Sequence, residues 1–310
     1  MKILITGVHG FVGSNLVKAL SKEHTIYGLD IISPNKEGIR YTFSWDYLDK
    51  EEGIPEVDAI IHLAGKAHDT KNQTVSDVYF KVNTGLTQKI YDYFLASKTA
   101  KKFIFFSTAK AAADKVDGVL TENVVPSPKG PYGESKIAAE KYIQEHLVVE
   151  KQVYILRPCM IHGPGNKGNL NLLYGVVKKG IPWPLGAFEN RRTFTSIGNL
   201  CFVINGLLTK EVPSGIYNMG DDEALSTNEL IEEICKSLGK KAHIWKLPKG
   251  LMNGVAKIGG ALHLPLDPER LRKLTENYIS SNAKIKKALG VEKMPVDARE
   301  GLKITLESFK

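Results

Sequence analysis

Tyr132 and Lys136 stand four residues apart in Pro131-Tyr132-Gly133-Glu134-Ser135-Lys136, at the start of a segment with helical periodicity. Four residues is about one helical turn, so both side-chain heads can share one site. A phenol beside an ammonium can pass a proton to and from a substrate oxygen. Taken alone, the pair also describes an ordinary surface helix, so its meaning depends on what precedes it. Ser107 and Thr108 end the preceding apolar run, where a hydroxyl can hydrogen-bond a reacting oxygen. Near the N-terminus, Gly7-Val8-His9-Gly10-Phe11-Val12-Gly13 follows a short apolar run and opens a helical pattern. Glycines there permit a tight turn and let the backbone approach a pyrophosphate, whose charge the helix N-terminal amides hold. Asp30 closes the next run, 17 residues after Gly13. A carboxylate at that place accepts both hydroxyls of an adenosine ribose and repels a 2′-phosphate. No arginine follows closely in Ile31-Ile32-Ser33-Pro34-Asn35, so NAD is expected, with Lys36 keeping NADP open.

These residues need a frame. Short β-rich runs at Lys2 to Thr6, Thr25 to Asp30, Ala59 to Ala64, Phe103 to Ser107 and Gln152 to Arg157 alternate with helical patterns at Phe11 to Leu20, Val75 to Ala96 and Tyr132 to His146. That alternation marks an α/β fold, a Rossmann-type doubly wound parallel sheet with helices on both faces. From about Gly163 the pattern loosens into Gly, Pro and Asn segments, and further helices are expected at Asn228 to Leu238 and near Val296 to Phe309. The expected division is a cofactor domain over residues 1–165, joined by later segments at roughly 190–220, and a smaller, loop-rich substrate lobe over 166–310.

With that placement the chain resembles the extended short-chain dehydrogenase/reductases of the nucleotide-sugar epimerase and dehydratase group, nearly end to end. The resemblance rests on Gly7, Gly10 and Gly13, Asp30, Asp46-Tyr47, His62-Leu63-Ala64-Gly65, Asn83, Ser107-Thr108, Tyr132 with Lys136, and Arg157-Pro158 through Gly163-Pro164. It implies that Gly7, Gly10, Phe11 and Val12 meet the cofactor pyrophosphate and that Asp46 contacts adenine with Tyr47 beside it. Leu63, Ala64, Gly65 and Lys66 would border the pyrophosphate and ribose, with Asn83 and Ser107 completing the cofactor site. Tyr132 would be the general acid/base, Lys136 its electrostatic partner and nicotinamide-ribose anchor, and Thr108 the donor to the reacting sugar oxygen. His62 and His162 match structural positions of the family rather than metal ligands, and no metal spacing appears.

The chemistry asks for a phenolate near neutral pH. Free tyrosine titrates near ~10, so the gap is about three units, or roughly 4 kcal/mol. One cation about 6 Å away at an effective dielectric of about 20 supplies roughly 2.8 kcal/mol. Lys136 is therefore expected to depress Tyr132 only in part, with the positive nicotinamide closing the gap.

Departures from the family's motifs narrow the reaction. Its 4,6-dehydratases follow the catalytic Ser/Thr with Asp-Glu, whereas Ala109 and Lys110 follow Thr108, which removes the carboxylates that eliminate water. Ala111-Ala112-Ala113 replaces Val-Tyr-Gly, and Met160 stands where the family's LRxxN element has its asparagine. Substrate hold is expected instead from Asn169 and Asn171 at a helix start, and from Arg192, which matches the family's diphosphate-binding arginine. A guanidinium meets phosphate oxygens bidentately. Arg191 alone reads equally as a solvated charge. Two reactions at C4 of a UDP-hexose remain, a 4-epimerase and a 4-ketoreductase. Thr108-Ala109-Lys110, Pro184-Leu185-Gly186-Ala187 and Asn190-Arg191-Arg192 resemble reductases acting on UDP-4-keto-6-deoxyhexosamines for surface polysaccharides, which places reduction first, while Asp30 and NAD favour epimerisation. A non-catalytic NAD(P)-sensing regulator is the alternative of another class, but such a protein would not need both Tyr132 and Lys136.

The 310 residues carry 42 Lys plus Arg against 34 Asp plus Glu, a net charge of +8. That charge suits phosphate-bearing ligands as well as nucleic acid, and no nucleic-acid recognition module appears, so no nucleic-acid partner is expected. Cys159, Cys201 and Cys235 are few and far apart, which reads as reduced core thiols in a cytoplasmic protein. The N-terminal apolar run is too short for a signal peptide, and the stretches Leu200 to Leu208 and Leu251 to Leu266 are too short or interrupted to span a bilayer. The expected partner is a nucleotide-diphosphate sugar. Family members often dimerise through the helices that include the Tyr132 segment, so a homodimer is also expected.

Overall fold

In Lys102-Phe103-Ile104-Phe105-Phe106 every residue is buried. A strand covered on both faces reads as a continuous apolar run, and alternate side chains then serve opposite layers. Ile104 and Phe106 join one core cluster and Phe103 and Phe105 another. The same parity splits Ile3 and Ile5 from Leu4.

The computed structural model describes residues 1–50, 53–66, 75–262 and 266–310. Its first half contains β1 (Lys2–Thr6), α1 (Phe11–Leu20), β2 (Thr25–Leu29), β3 (Tyr41–Phe43), β4 (Ala59–His62), α2 (Ser76–Tyr79), α3 (Leu86–Ala96) and β5 (Lys102–Phe106). Then come α4 (Ala109–Ala112), β6 (Val119–Leu120), α5 (Pro131–Glu145) and β7 (Gln152–Pro158). The second half contains β8 (Met160–His162), α6 (Asn169–Lys178), β9 (Phe194–Ser196), α7 (Ile197–Thr209), β10 (Gly215–Met219) and α8 (Thr227–Ser237). It ends with α9 (Lys249–Ala261), α10 (Pro268–Thr275), β11 (Ile279–Ser280), α11 (Ala283–Leu289) and α12 (Ala298–Glu307).

Seven strands form one sheet in the order β10-β7-β5-β4-β1-β2-β3, every pair parallel. The chain runs outward from β1 through β2 to β3, then returns to the other side of β1 at β4. Ligands of such sheets sit beyond the strands' carboxyl ends at this reversal. The ends of β1, β4 and β5 carry Gly7, Leu63 and Ser107, respectively. Helices α1, α7 and α11 cover one face, and α3 and α5 cover the other. A separate cluster built from α6, α8, α9 and α12, including Leu170, Ile234, Met252 and Leu302, forms the core of the second half.

Two local features depart from the sequence pattern. The three-residue β3 is too short to register as periodicity. The helix expected over Val75 to Ala96 is interrupted, because Phe80–Gly85 forms a π-helical turn between α2 and α3. Such turns re-aim a side chain; here the residue concerned is the fully buried Asn83.

Candidate functional site

The glycine loop is shaped by contacts a side chain would break. Gly7 has φ +66°, a left-handed conformation, and a Cβ there would stand 3.0 Å from the Ala64 amide nitrogen. At Gly13, on the first turns of α1, a Cβ would lie 2.5 Å from the Gly7 carbonyl oxygen. The loop, the helix and the end of β4 therefore meet backbone to backbone. Gly10 caps α1 without a side-chain hydrogen bond, which leaves the helix N-terminal amides facing outward for an anion. Asp30 accepts from the amides of His9 at 3.0 Å and Ile31 at 2.7 Å. A carboxylate has about four lone-pair sites, so the two remaining suit a pair of ribose hydroxyls. Lys36 Nζ donates to Ser14 Oγ at 2.6 Å. These donor and acceptor sets fit a dinucleotide.

Behind the loop lies a buried polar chain. Thr6 Oγ1 accepts from the amides of Leu63 at 3.1 Å and Ala64 at 3.0 Å and lies 2.7 Å from His62 Nδ1. His62 Nε2 lies 2.9 Å from Thr87 Oγ1, and Thr87 donates to the Asn83 carbonyl at 2.6 Å. Burial first, then the charge of Lys136, holds the His62 imidazole well below its usual value, so it stays neutral. Asn83 Oδ1 accepts from the Lys66 amide at 2.7 Å, and its Nδ2 donates to the Lys66 carbonyl at 3.2 Å and to Ser135 Oγ at 3.0 Å. The amide of Asn83 thus clamps the loop after β4 to the helix that bears Tyr132. Asp46, on the turn after β3, is exposed and pairs with Lys50 at 2.6 Å. Lys50 and Ser44 together hold its carboxyl at about 2. The ring of Tyr47 packs 5.3 Å from that of Phe43.

Gly130, at φ +83°, leads into α5 with Pro131 in its first turn, a position that needs no amide donor. Gly133 lets α5 approach α4 closely, since a Cβ there would lie 2.8 Å from the Lys110 carbonyl oxygen. Thr108 caps α4, accepting from the Lys110 amide at 3.3 Å, and its hydroxyl is hydrogen-bonded to that of Tyr132. One turn along α5, Lys136 Nζ donates to the Phe106 carbonyl at 2.8 Å and stands 5.0 Å over the Phe105 ring. It also lies 3.2 Å from where a Cβ on Gly65 would be. Thr108, Tyr132, Lys136, Asn83, Gly65 and Ser107 are thereby gathered at the ends of β4 and β5.

The electrostatics differ from the sequence expectation. Tyr132 is raised above the ordinary tyrosine value, because burial outweighs the Thr108 hydrogen bond. Lys136 is brought down to about 8 by its own burial, with Glu140 opposing. The ammonium is turned toward the Phe106 carbonyl, and burial leaves the phenol raised in spite of the Thr108 hydrogen bond. Glu140 itself escaped the sequence reading. It is fully buried on α5, takes the Arg157 guanidinium at 3.0 Å and 2.5 Å, and accepts the Ser107 hydroxyl. The signal available was an acidic residue one turn beyond Lys136, on the same helical face.

The remaining expected residues lie in the second half. Arg192 NH1 donates to the Lys273 carbonyl at 2.7 Å, and burial lowers its guanidinium while Glu276 opposes. Its strand neighbour Tyr278 donates to the Ala113 carbonyl at 2.9 Å and lies under Lys110 Nζ at 4.9 Å, which joins Arg192 to the Thr108 turn. Arg191 pairs instead with Glu229 at 2.8 Å. Asn169 is exposed at the start of α6, and Asn171 donates to the Asn166 carbonyl at 3.4 Å. His162 lies 2.9 Å from Thr305 Oγ1. Burial pushes the Cys159 thiol up to about 12 and Cys201 to about 11, and raises Cys235, so all three are unreactive thiols. No described helix is long and apolar enough to cross a membrane.

A glycine turn at a sheet reversal, a carboxylate at the end of the second strand and a Thr-Tyr-Lys group are the features of an extended short-chain dehydrogenase/reductase. A profile of the NAD dependent epimerase/dehydratase family matches residues 3–220, and the chain belongs to that family. Among its relatives, the UDP-glucose 4-epimerase of Vibrio cholerae is 30% identical over 99% of this chain and 95% of its own. An N-acetyl-alpha-D-glucosaminyl-diphospho-ditrans,octacis-undecaprenol 4-epimerase of Escherichia coli O157:H7 is 28% identical over 92% of this chain and 84% of its own. The UDP-glucuronic acid 4-epimerase of Bacillus cereus, solved with NAD, shares the fold with a TM-score of 0.76 at 22% identity, covering 100% of this chain and 98% of the other. The protein is an NAD-dependent enzyme of the nucleotide-sugar epimerase and reductase kind.

Proposed function

We propose that the enzyme transfers hydride at C4 of a UDP-hexose, and in the narrower reading that it reduces a UDP-4-keto-6-deoxyhexosamine for surface polysaccharide synthesis. The observation that carries the reading is the hydrogen-bonded pair of hydroxyls on Thr108 and Tyr132 beside Lys136 and Gly65. NAD, when bound, supplies the acceptance and return of hydride at the sugar carbon. Tyr132 Oη gives its proton to the C4 oxygen as a ketone becomes an alcohol, and takes it back in the reverse direction. Thr108 Oγ1 donates to the same oxygen and fixes its position. Lys136, as an ammonium, favours the phenolate that Tyr132 becomes after giving up the proton. Burial keeps Tyr132 protonated before substrate binds, which is the form that donates to the C4 oxygen in either direction that ends in an alcohol.

Arg192 holds the diphosphate, and Asn169 and Asn171 contribute from the start of α6. Residues 1–165 with roughly 190–220 serve the cofactor, and the rest of 166–310 chooses the sugar. Asp46, Tyr47 and Lys66 line the adenosine and ribose. The second reading, a UDP-glucose or UDP-N-acetylglucosamine 4-epimerase, is favoured by the 30% identity to the Vibrio cholerae enzyme and by Asp30.

One experiment separates the readings. Purified protein is incubated with UDP-glucose, UDP-N-acetylglucosamine or a UDP-4-keto-6-deoxyhexosamine, with and without NADH or NADPH, and products are identified by NMR. Stoichiometric consumption of reductant with the keto sugar alone supports reduction. Conversion without added reductant supports epimerisation, and no conversion in any arm overturns both in favour of an NAD-sensing regulator.

A further inference from the structure

Helix α9 has two apolar stripes, and the protein covers one of them. Met252, Ala256 and Gly259, spaced by four and three residues, are buried. Leu251, Val255, Ile258 and Leu262 follow the same spacing on an adjacent stripe and are 54%, 44%, 61% and 65% exposed. The strand-like segment that leads into the helix adds Trp245, also 54% exposed. That segment runs beside residues 181–185, since Trp245 donates its amide to the Trp183 carbonyl at 2.8 Å, and there Ile181 is exposed as well. Soluble surfaces carry scattered apolar side chains, but a helical row of four with an adjoining tryptophan marks a surface that meets something apolar.

The charge of the same region selects what it meets. From Lys236 to Leu262 the sequence has six lysines and no Asp or Glu. Lys236, Lys240, Lys241, Lys246, Lys249 and Lys257 are all exposed. Lys240 Nζ reaches the Lys178 carbonyl at 2.7 Å, which brings exposed Lys178 and Lys179 at the end of α6 to the same side. A second copy docking through this surface would set like charges against like in an isologous contact. Nucleic acid would meet the lysines but leave the leucine and isoleucine row in water. An anionic lipid surface answers both properties, since its headgroups pair with lysines and its acyl boundary takes up a lysine-flanked apolar stripe with a tryptophan at the interface.

We propose that the Trp245–Leu262 surface docks the enzyme on anionic membranes, with α9 lying in the plane of the interface. This goes beyond the C4 chemistry and does not depend on it. It adds a tether that lies on the surface, and gives the excess positive charge of the chain a location and a partner.

The test uses the full chain and sedimentation with vesicles, either of phosphatidylcholine alone or with one third phosphatidylglycerol. Binding is expected to the anionic vesicles, to weaken at high salt and to be slight with phosphatidylcholine alone. Leu251→Glu with Ile258→Glu should abolish it. Lys249→Glu with Lys257→Glu should weaken it by roughly tenfold or more, because each lysine near such a surface adds severalfold to binding. All four residues are exposed and outside the site around Tyr132, so melting temperature and turnover of a water-soluble substrate should stay at wild-type values. A wild-type protein that stays in the supernatant with anionic vesicles overturns the proposal. So does a concentration-dependent dimer in sedimentation velocity that Leu251→Glu with Ile258→Glu dissociates, because the row would then be covered by a second copy. Turnover is read separately, so failure of docking and failure of the C4 assignment give different results.

Discussion

Asn83 is a fully buried polar side chain and Arg192 a half-buried one, and they are held in opposite ways. Asn83 sits in the cofactor half, where its carbonyl and amide groups bond to Lys66 and Ser135 and a chain of buried contacts continues through Thr87, His62 and Thr6 to the glycine loop. Arg192 sits in the second half on irregular chain, and among the described residues its guanidinium donates to the Lys273 carbonyl. A guanidinium has five N–H donors, so most of its capacity remains for other partners. The cofactor side is a closed network in which moving one member moves the others. Around Arg192, which we propose faces the sugar nucleotide, the contacts come from separate segments at Leu225, Lys273 and Tyr278. Preorganised geometry serves a cofactor that never changes, and looser geometry lets related chains take different sugars.

Changes in the first region should therefore damage catalysis or folding broadly, and changes in the second should affect one substrate term. Tyr132→Phe removes the proton and should lower turnover by about 10²–10⁴-fold, with NAD binding unchanged in a fluorescence titration. Turnover within a few-fold of wild type would remove Tyr132 from its role. Glu140→Gln leaves the buried Arg157 charge without its carboxylate and should cost about 3–5 kcal/mol of stability, read by urea unfolding. A loss below about 1 kcal/mol would mean that water or a neighbour takes over, and that the network is less closed than it looks. Arg192→Ala should raise the KM for the nucleotide sugar by about 10–100-fold, from the loss of charge-assisted hydrogen bonds. The affinity for NAD should not move, and if both change together the two regions are not independent. Asp30→Asn should narrow the preference for NAD over NADP by about tenfold, through loss of the repulsion toward a 2′-phosphate.

A separate effect is the pH dependence of Lys136. Its value of about 8 lies below the ordinary lysine value of 10.5. Between those limits the unfolded chain binds more protons at this site than the folded one, so the contribution of Lys136 to stability rises with pH from about 8 toward 10.5. The catalytic ammonium is lost over the same interval. In the ligand-free protein, thermal melts should show this gain relative to Lys136→Met, and with substrate and cofactor supplied the turnover should fall over the same interval. A wild type and a Lys136→Met variant with parallel pH profiles would show that the ammonium is better solvated than its burial implies.

The sequence made the cofactor half legible because its determinants are local. A glycine pattern after a strand, a carboxylate ending the next strand and a Tyr-Lys pair one turn apart can each be read within a few residues. Glu140 could not be read that way. Within Ala138-Ala139-Glu140-Lys141-Tyr142 it resembles any solvated helical glutamate, and only Arg157, brought alongside from β7, buries it. The sign of the Tyr132 shift without cofactor was hidden for a related reason. Spacing placed Lys136 beside it, but spacing cannot reveal that a carbonyl of β5 claims the ammonium or that burial opposes the phenolate. The surface of α9 falls in the Leu251 to Leu266 stretch, which reads only as an interrupted apolar run because the sequence does not show which stripe the fold covers; residues 263–265 of that stretch lie outside the described structure.

The π-helical turn at Phe80–Gly85 closes each hydrogen-bonded ring with one residue more than an α-helix uses. In the currency of the gene, that is a single inserted codon retained inside a helix. The widened turn absorbs that residue, so deleting one would let α2 and α3 join into a continuous α-helix with its two ends near their present orientation, and only the residues of the turn would be re-aimed. Asn83 would leave the loop it clamps while the fold around it survived. A one-codon deletion in this stretch should therefore yield a folded chain whose cofactor loop has lost its register, an outcome that no single substitution at Asn83 reproduces.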